Sequence, residues 1–182
     1  MLDDAVLDGL SARLRTARAV GVLTGAGISA ESGVPTFRGA GGLWRNFSAT
    51  ELATPEAFAR DPLLVWQWYR WRQGIIARAS PNAGHRSLAR FEARLRALTL
   101  ITQNVDGLHQ RAGSTAVIEL HGNIWRARCS RGCGVVRQLG DTDLLPEAGS
   151  DETHLPVCRC GALLRPDIVW FGEALDERHI DA

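Results

Sequence analysis

The feature that most constrains the fold of this chain is a short apolar run that leads directly into a glycine loop. Residues 20–31 read VGVLTGAGISAE, and residues 19–24 have the continuous apolar character of a strand buried in a parallel sheet. The next six residues, GAGISA, fit the pattern G-x-G-x-x-A, whose glycines permit a tight turn and a close backbone approach to a pyrophosphate. The pattern alone is weak, so a structural turn without a ligand is the alternative.

The residues after the glycine loop do not fit an ordinary dehydrogenase. The segment SGVPTFRGAGG contains a proline and several glycines and is too broken for the long helix that a dinucleotide fold places there. A carboxylate is expected about twenty residues further on, but residues 44–50 read WRNFSAT. The loop therefore belongs to a different kind of nucleotide site, or to none.

The composition excludes several classes of protein. The chain has 182 residues and a formal net charge of +1, which gives no general attraction to nucleic acid or to anionic membranes. It contains no apolar run of 18 residues, and its acidic start, MLDDAVLDGL, resembles neither a secretory signal nor a transit peptide. We therefore expect a cytoplasmic protein whose four cysteines are thiols or metal ligands.

Alternating apolar periodicities predict an α/β fold. We predict a short helix that begins at Pro55, an unfinished helix from Asp176, helices over residues 3–18, 62–78 and 82–97, and strands over residues 19–24, 99–102, 117–120 and 168–171. The first three of these strands alternate with helices, which is few for such a sheet, and the unfinished last helix suggests that the sequence stops partway through a larger fold. We expect a partial Rossmann-like parallel sheet with helices on both faces, plus a small zinc-binding module. The predicted domains are residues 1–128 with a helical insertion at about 43–80, a module at 129–164, and a return to the first domain at 165–182.

Polar side chains follow two of the predicted parallel strands. Gln103, Asn104 and Asp106 follow one strand, and His121 follows the next. The carboxyl ends of parallel strands meet at one edge of a sheet, so these side chains should converge on one crevice. The alternative is that they are helix caps and turn formers, with His121 a hydrogen-bonded bystander.

All four cysteines lie in the aperiodic stretch, as two close pairs. The pairs are Cys129-x-x-x-Cys133 and Cys158-x-Cys160. A segment without a core of its own can be held by a tetrahedral zinc thiolate site, so we expect one structural zinc ion with no open coordination position. Free buried thiols or a redox pair are the alternatives.

Four motifs carry a resemblance to a known family. The stretch GAGISAESGVPTFRG at residues 25–39 is followed by TQNVDGLHQRAG, ELHG and IVWFGE. From about residue 14 to residue 178 the chain resembles the sirtuins, the NAD-dependent protein-lysine deacylases. The resemblance implies that the broken segment is a mobile lid that closes over the nicotinamide ribose. It also implies the NAD-binding residues Gly25, Ala26, Gly27, Ser29, Ala30, Glu31, Pro35, Thr36, Phe37, Arg38, Trp44, Gln103, Asn104, Val105 and Asp106.

The resemblance implies a reaction in which NAD is consumed. Nicotinamide leaves the ribose, the acyl-amide oxygen attacks the anomeric carbon, and His121 acts as the general base on a ribose hydroxyl. An imidazole with an ordinary pKa near 6.5 suits proton transfer at neutral pH. Free lysine and O-acyl-ADP-ribose are the products, and no hydride is transferred.

The sequence also suggests which acyl group is removed. Tyr69 and Arg72 are three residues apart on one face of the predicted helix, whose tryptophans read as packing residues. The chain is similar to the sirtuin subgroup that removes succinyl, malonyl and glutaryl groups, in which a Tyr-x-x-Arg pair binds the acyl carboxylate and Ala53 corresponds to a small residue that widens the pocket. Plain deacetylation is a further possibility. The acyl-lysine peptide should bind along Val169, Trp170, Phe171 and Gly172, although core packing is an alternative for Ile168 and Trp170.

The resemblance implies a four-cysteine zinc module at this position, formed by Cys129, Cys133, Cys158 and Cys160. Family members usually have two residues within each pair, whereas this chain has three and one, so His154 is an alternative ligand. Relatives also continue past residue 182 with groups that bind the adenosine half of NAD. Two other functions therefore stay open: a zinc-stabilised module that binds acyl-lysine and NAD without efficient catalysis, and a protein mono-ADP-ribosyltransferase.

Overall fold

The computed structural model describes residues 3–35, 47–95, 97–140 and 155–177. Its helices are α1 (Asp4–Thr16), α2 (Ala26–Ala30), α3 (Ala49–Leu52), α4 (Pro55–Arg60), α5 (Pro62–Arg78), α6 (Ala83–Glu92) and α7 (Leu108–Arg111). Its strands are β1 (Val20–Thr24), β2 (Leu98–Thr102), β3 (Val117–Glu119), β4 (Gly122–Cys129), β5 (Val136–Gln138) and β6 (Leu164–Ile168). In these parts of the chain, every helix is too short or too polar to cross a bilayer.

The capping residues explain where the helices around the site begin. Thr54 accepts a hydrogen bond from the Ala57 amide at the start of α4, and Asp61 accepts one from the Leu64 amide at the start of α5. Each cap precedes a proline, whose fixed φ suits the first helical turn. Helix α5 therefore has the bounds that the sequence predicts.

Helix α6 is shorter than predicted, because it ends at Glu92 rather than near residue 97. The amides of Arg94 and Leu95 both donate to the Phe91 carbonyl, which closes the helix with a tightened turn. The Glu92 carboxylate accepts hydrogen bonds from the backbone of Thr115 and ties this end to the segment before β3. Strand β2 begins at Leu98.

A parallel sheet with the order β1-β2-β3 confirms the predicted α/β architecture. Thr24 pairs with Thr102, which in turn pairs with Glu119. The three strands therefore end at the same level, and the residues that follow them share one edge of the sheet. Within the described ranges, β1 lies at the outer edge of this sheet.

An antiparallel sheet with the order β5-β4-β6 forms the second layer, and the sequence did not predict β4 or β5. The strand predicted at residues 168–171 is wrong: β6 covers Leu164–Ile168 instead. Gly122 is the first residue of β4 and pairs with Ile168, so the ladder ends there. Beyond it the chain turns, and the Glu173 amide donates to the Trp170 carbonyl.

The core lies between α5 and the antiparallel sheet. The Trp66 indole donates to the Leu164 carbonyl at 3.0 Å, and the Gln73 amide donates to the Ile124 carbonyl at 2.6 Å. Trp66 and Trp68 are fully buried, as the packing interpretation of these tryptophans predicts. Each buried aromatic side chain stabilises the fold by about 2 kcal/mol. This packing holds one face of α5 against strands β4 and β6.

Candidate functional site

A cavity of about 960 Å³ opens at the carboxyl edge of the parallel sheet. Its walls come from the glycine loop, the residues after β2, helix α5 and the segment after β6. The residues predicted from sequence that line it are Gly25, Ala26, Gly27, Ser29, Pro35, Ala53, Tyr69, Arg72, Gln103, Asn104, Val105, Asp106, His121, Val169 and Phe171. Most of the candidate site residues therefore surround one space.

The remaining predicted residues divide into two groups. Ala30, Glu31, Trp170 and Gly172 are described but do not line the cavity. Trp170 is buried in the core, as the packing alternative proposed, and so is Ile168. The predicted lid and cofactor residues Thr36, Phe37, Arg38 and Trp44, together with His154, lie outside the described residues.

A buried hydrogen-bond network lies where β1 and β2 end. The Ser29 hydroxyl donates to Asp106 Oδ2 at 2.7 Å and accepts from the Asn104 amide at 3.1 Å. The same Asn104 amide group donates to the Gly25 carbonyl at 3.0 Å, which fixes the glycine loop. Asp106 Oδ1 accepts from the Leu108 amide at 2.9 Å. These polar groups are therefore oriented by one another rather than by rotamer preference alone.

Two buried histidines support this network, and neither was assigned from the sequence. His85 Nδ1 accepts from the Asn82 amide at 3.3 Å, so Nε2 carries the proton and faces the Ser29 hydroxyl at 3.4 Å. His109 Nε2 lies 2.9 Å from the Thr24 hydroxyl, and its ring packs on that of His85 with centroids 4.8 Å apart. Burial lowers the pKa of His85, and burial with the neighbouring His85 lowers the pKa of His109 to about 4. Both rings are therefore neutral at pH 7.

The hydrogen bond that His121 makes decides its tautomer. Nδ1 lies 3.0 Å from the Gln103 carbonyl, which only accepts hydrogen bonds, so Nδ1 carries the proton in the neutral ring. The lone pair is then on Nε2, and the half-buried side chain lines the cavity. An imidazole held in this way can act as a base towards a group bound in the cavity.

The turn after His121 requires glycine. Gly122 has φ +81°, and a Cβ at this position would lie 2.0 Å from the Asp167 carbonyl oxygen. Arg126 of β4 stabilises the same turn, because it pairs with Glu119 of β3 and with Asp167 of β6, both at 2.8 Å. The end of β3 and the end of β6 are thereby fixed on either side of His121.

Helix α5 contributes a different chemistry to the cavity. Arg72 lies over the Trp68 ring, with its guanidinium carbon 4.9 Å from the centroid, and 5.7 Å from the Tyr69 centroid. Burial lowers the pKa of Arg72 to about 10 and raises that of Tyr69 to about 12. At neutral pH this wall therefore presents a cation and a protonated phenol among aromatic rings.

The segment after β6 closes the cavity between the two sheets. The Val169 amide donates to the His121 carbonyl at 3.0 Å, and the Phe171 amide donates to the Ala53 carbonyl at 2.9 Å. Glu173 anchors the segment by accepting from Arg165 at 2.6 Å and from the Trp170 amide at 2.9 Å. The Phe171 side chain is 55% exposed and lies at the rim of the cavity.

The four cysteines converge away from the cavity, at the turns of two hairpins. Their sulfur atoms all lie within 4.8 Å of one another, and the Cys129–Cys160 and Cys133–Cys158 sulfur pairs are 3.5 Å apart. A tetrahedral zinc site with bonds of about 2.3 Å requires sulfur separations near 3.8 Å, so this donor set fits zinc. A backbone hydrogen bond from Cys133 is the main cause that lowers the pKa of the Cys129 thiol to about 6, while hydrogen bonds with the neighbouring thiols raise the pKa of Cys133 to about 12. The two thiols share one proton between them, so the first thiolate forms at Cys129.

The chain is similar to known proteins over most of its length. Residues 25–182 match the Sir2 family. NAD-dependent protein deacylase 2 of Pyrobaculum aerophilum is 59% identical over 165 residues, which are 90% of this chain and 63% of that protein. The NAD-dependent protein deacylase of Aquifex aeolicus is 60% identical over 154 residues, 84% of this chain and 61% of that protein.

Solved structures agree with these relatives. A complex of a Sir2 homologue with NAD has a TM-score of 0.80 and 43% identity, covering 100% of this chain and 66% of that one. A complex of a triple variant of a Sir2 homologue with 2'-O-acetyl ADP ribose has a TM-score of 0.81 and 44% identity, covering 99% and 68%. The chain spans less than two thirds of the length of the two curated relatives described above. On the family match and these identities, the chain belongs to the Sir2 family.

Proposed function

We propose that this chain carries the nicotinamide and acyl-lysine sites of an NAD-dependent protein-lysine deacylase that prefers acyl groups ending in a carboxylate. The observation that carries the proposal is one cavity in which His121 and the glycine loop face Tyr69 and Arg72. The names of the relatives support NAD-dependent deacylation, and the cationic wall on α5 supports the acyl preference.

The nucleotide would be held at the strand ends. NAD supplies a ribose whose bond to nicotinamide breaks, so that the acyl oxygen can bond to the anomeric carbon. The Asn104 amide and the Ser29 hydroxyl are already fixed by Gly25 and Asp106, and they would orient this half of the dinucleotide at little entropic cost. His121 Nε2 would then accept a proton from a ribose hydroxyl, with its ring held by the Gln103 carbonyl.

The acyl group would extend towards α5. A succinyl, malonyl or glutaryl chain ends in a carboxylate, which Arg72 can bind with two N–H groups and Tyr69 with one O–H group. Burial disfavours the charge on Arg72, as its lowered pKa of about 10 indicates, and a bound anion would offset that cost. An acetyl group fills less of this pocket and leaves the arginine without that anion.

The cysteine cluster would hold a structural zinc ion. The four thiolates fill a tetrahedral shell, so the ion would stabilise the hairpins without an open position for catalysis. Strand β4 links the two sites, because it begins at Gly122 beside His121 and ends at Cys129. Zinc binding would therefore contribute to the position of the base through the fold.

One assay tests the proposal against its two alternatives. The chain is incubated with NAD and a succinyl-lysine peptide, and the products are followed by mass spectrometry. We expect free lysine peptide and O-succinyl-ADP-ribose in equal amounts. ADP-ribose attached to protein would instead support the mono-ADP-ribosyltransferase. Peptide and NAD binding without any product would support the binding module.

A further inference from the structure

The Trp170 side chain makes a contact that the proposed chemistry does not use. Trp170 lies just after β6, is 3% exposed, and donates its indole N–H to the Tyr69 hydroxyl oxygen at 2.9 Å. An indole nitrogen can only donate, so the phenol oxygen must be the acceptor of this bond. The direction of this hydrogen bond therefore follows from the indole group itself and does not depend on where hydrogen atoms are placed.

This direction determines what Tyr69 can offer to a ligand. Its oxygen is occupied by the indole, while its own O–H group remains a donor, and the residue lines the cavity. Burial raises the pKa of Tyr69 to about 12, so the phenol keeps its proton at neutral pH. A donor in this position binds an acceptor such as a carboxylate oxygen, whereas a methyl group cannot use it.

The indole is held rigidly enough to impose this direction. The Arg165 guanidinium carbon lies 3.3 Å from the Trp170 ring centroid, and the Phe58 ring centroid lies 5.4 Å away. The Trp170 amide donates to Glu173, which also accepts two hydrogen bonds from Arg165. Trp170 is therefore held through both its ring and its backbone, and it joins the segment at the cavity rim to the wall formed by α5.

We propose that Trp170 is a specificity-determining positioning residue, which commits the Tyr69 hydroxyl to donate to the carboxylate of the acyl group. The proposal rests on the function proposed above and adds a residue that does not itself line the cavity. It differs from a packing role, because the indole N–H rather than the bulk of the ring produces the effect. Removing that one hydrogen changes selectivity only while Tyr69 has a hydroxyl.

A double-mutant cycle on peptide binding tests this inference. One peptide carrying either succinyl-lysine or acetyl-lysine is titrated by fluorescence anisotropy into the wild type, Trp170→Phe, Tyr69→Phe and the double variant. We expect Trp170→Phe to lower the ratio of succinyl to acetyl affinity about tenfold, the value of a hydrogen bond to a charged group. In the Tyr69→Phe background the same change should leave the ratio as it is. Circular dichroism and thermal unfolding check that each variant folds.

A second substitution separates the N–H group from the shape of the ring. Replacing Trp170 with benzothienylalanine exchanges the N–H for sulfur and keeps the two fused rings, so we expect the same loss of selectivity as in Trp170→Phe. An unchanged ratio in this variant, or an equal drop in both Tyr69 backgrounds, overturns the role of Trp170. A wild-type ratio of one overturns the proposed acyl preference and this inference together. A wild-type preference that depends on Arg72 but not on Trp170 overturns this inference alone.

Discussion

The two walls of the cavity, at the strand ends and on helix α5, stabilise their buried polar groups in different ways. At the strand ends, Ser29, Asn104 and Asp106 bind one another at 2.7 Å and 3.1 Å. On α5, the charge of Arg72 lies over aromatic rings, and burial lowers its pKa to about 10. The polar groups of the first wall are therefore already oriented by one another, whereas a bound anion would offset the burial of charge in the second wall.

This difference separates two tasks. A wall whose polar groups are already oriented suits the proposed cleavage of the bond to nicotinamide, which would be the same for every acyl group. A wall whose charge is costly to bury suits discrimination, because the correct ligand removes the cost and a neutral ligand does not. Substitutions at the strand ends should therefore change rate without changing acyl selectivity, and substitutions on α5 should do the reverse.

The largest effect is expected from His121→Ala. Loss of a general base lowers turnover by about 10²–10⁴-fold, and both succinyl and acetyl peptides should be affected equally. NAD affinity, measured by calorimetry, should change little, because the Ser29 network does not involve His121. If the loss fell on only one acyl substrate, the separation of the two tasks would be wrong.

Gly122→Ala should cause the next largest effect, on stability. The new Cβ would lie 2.0 Å from the Asp167 carbonyl oxygen at φ +81°, so we expect a loss of about 3 kcal/mol in the free energy of unfolding. Gly33→Ala is the matched control, because Gly33 also has φ +81° but its Cβ would lie within 4 Å of no atom of the described residues. That control should lose only about 1 kcal/mol in urea unfolding. Equal losses would mean that the close approach behind His121 is unimportant.

Arg72→Met should change selectivity instead. The variant removes the cation and keeps an apolar side chain of similar length, so the succinyl to acetyl affinity ratio should fall about thirtyfold, in line with a charged pair of hydrogen bonds. Arg78→Met, on the exposed last turn of the same helix, is the control and should leave the ratio as it was. An equal loss of both affinities in Arg72→Met would show that the arginine is structural.

Local sequence patterns predicted the elements that carry both walls, but they missed strand β4. The caps Asp61 and Thr54 precede prolines, and the parallel strands are continuous apolar runs, so local signals suffice for α5 and for β1, β2 and β3. Strand β4 was missed because Arg126 and Arg128 interrupt its apolar pattern. Arg126 pairs with Glu119 and with Asp167 of a distant strand.

The environment of the buried histidines His85 and His109 also could not be predicted from local sequence. His109 lies in the motif TQNVDGLHQRAG, and His85 follows a capping Asn82, yet nothing local indicates that the centroids of their rings lie 4.8 Å apart. Their lowered pKa values come from burial that only the assembled sheet and helices create. A sequence pattern can therefore supply the residues of a site, whereas the tertiary fold supplies their electrostatics.

The smallest effect should be the change in the free energy of unfolding between pH 7 and pH 6, where the loss of stability due to His109 only begins. The folded pKa of His109 is about 4, below the ordinary value of 6.5, so the unfolded chain takes up the proton first as the pH falls. Stability from this residue is complete above pH 6.5 and is lost progressively towards pH 4. The strand-end wall should therefore loosen in acid. His109→Gln keeps a donor for Thr24 without a titrating ring, so its urea midpoint should fall less steeply with pH than that of the wild type. Parallel curves for the two proteins would show that His109 does not cause the loss of stability in acid.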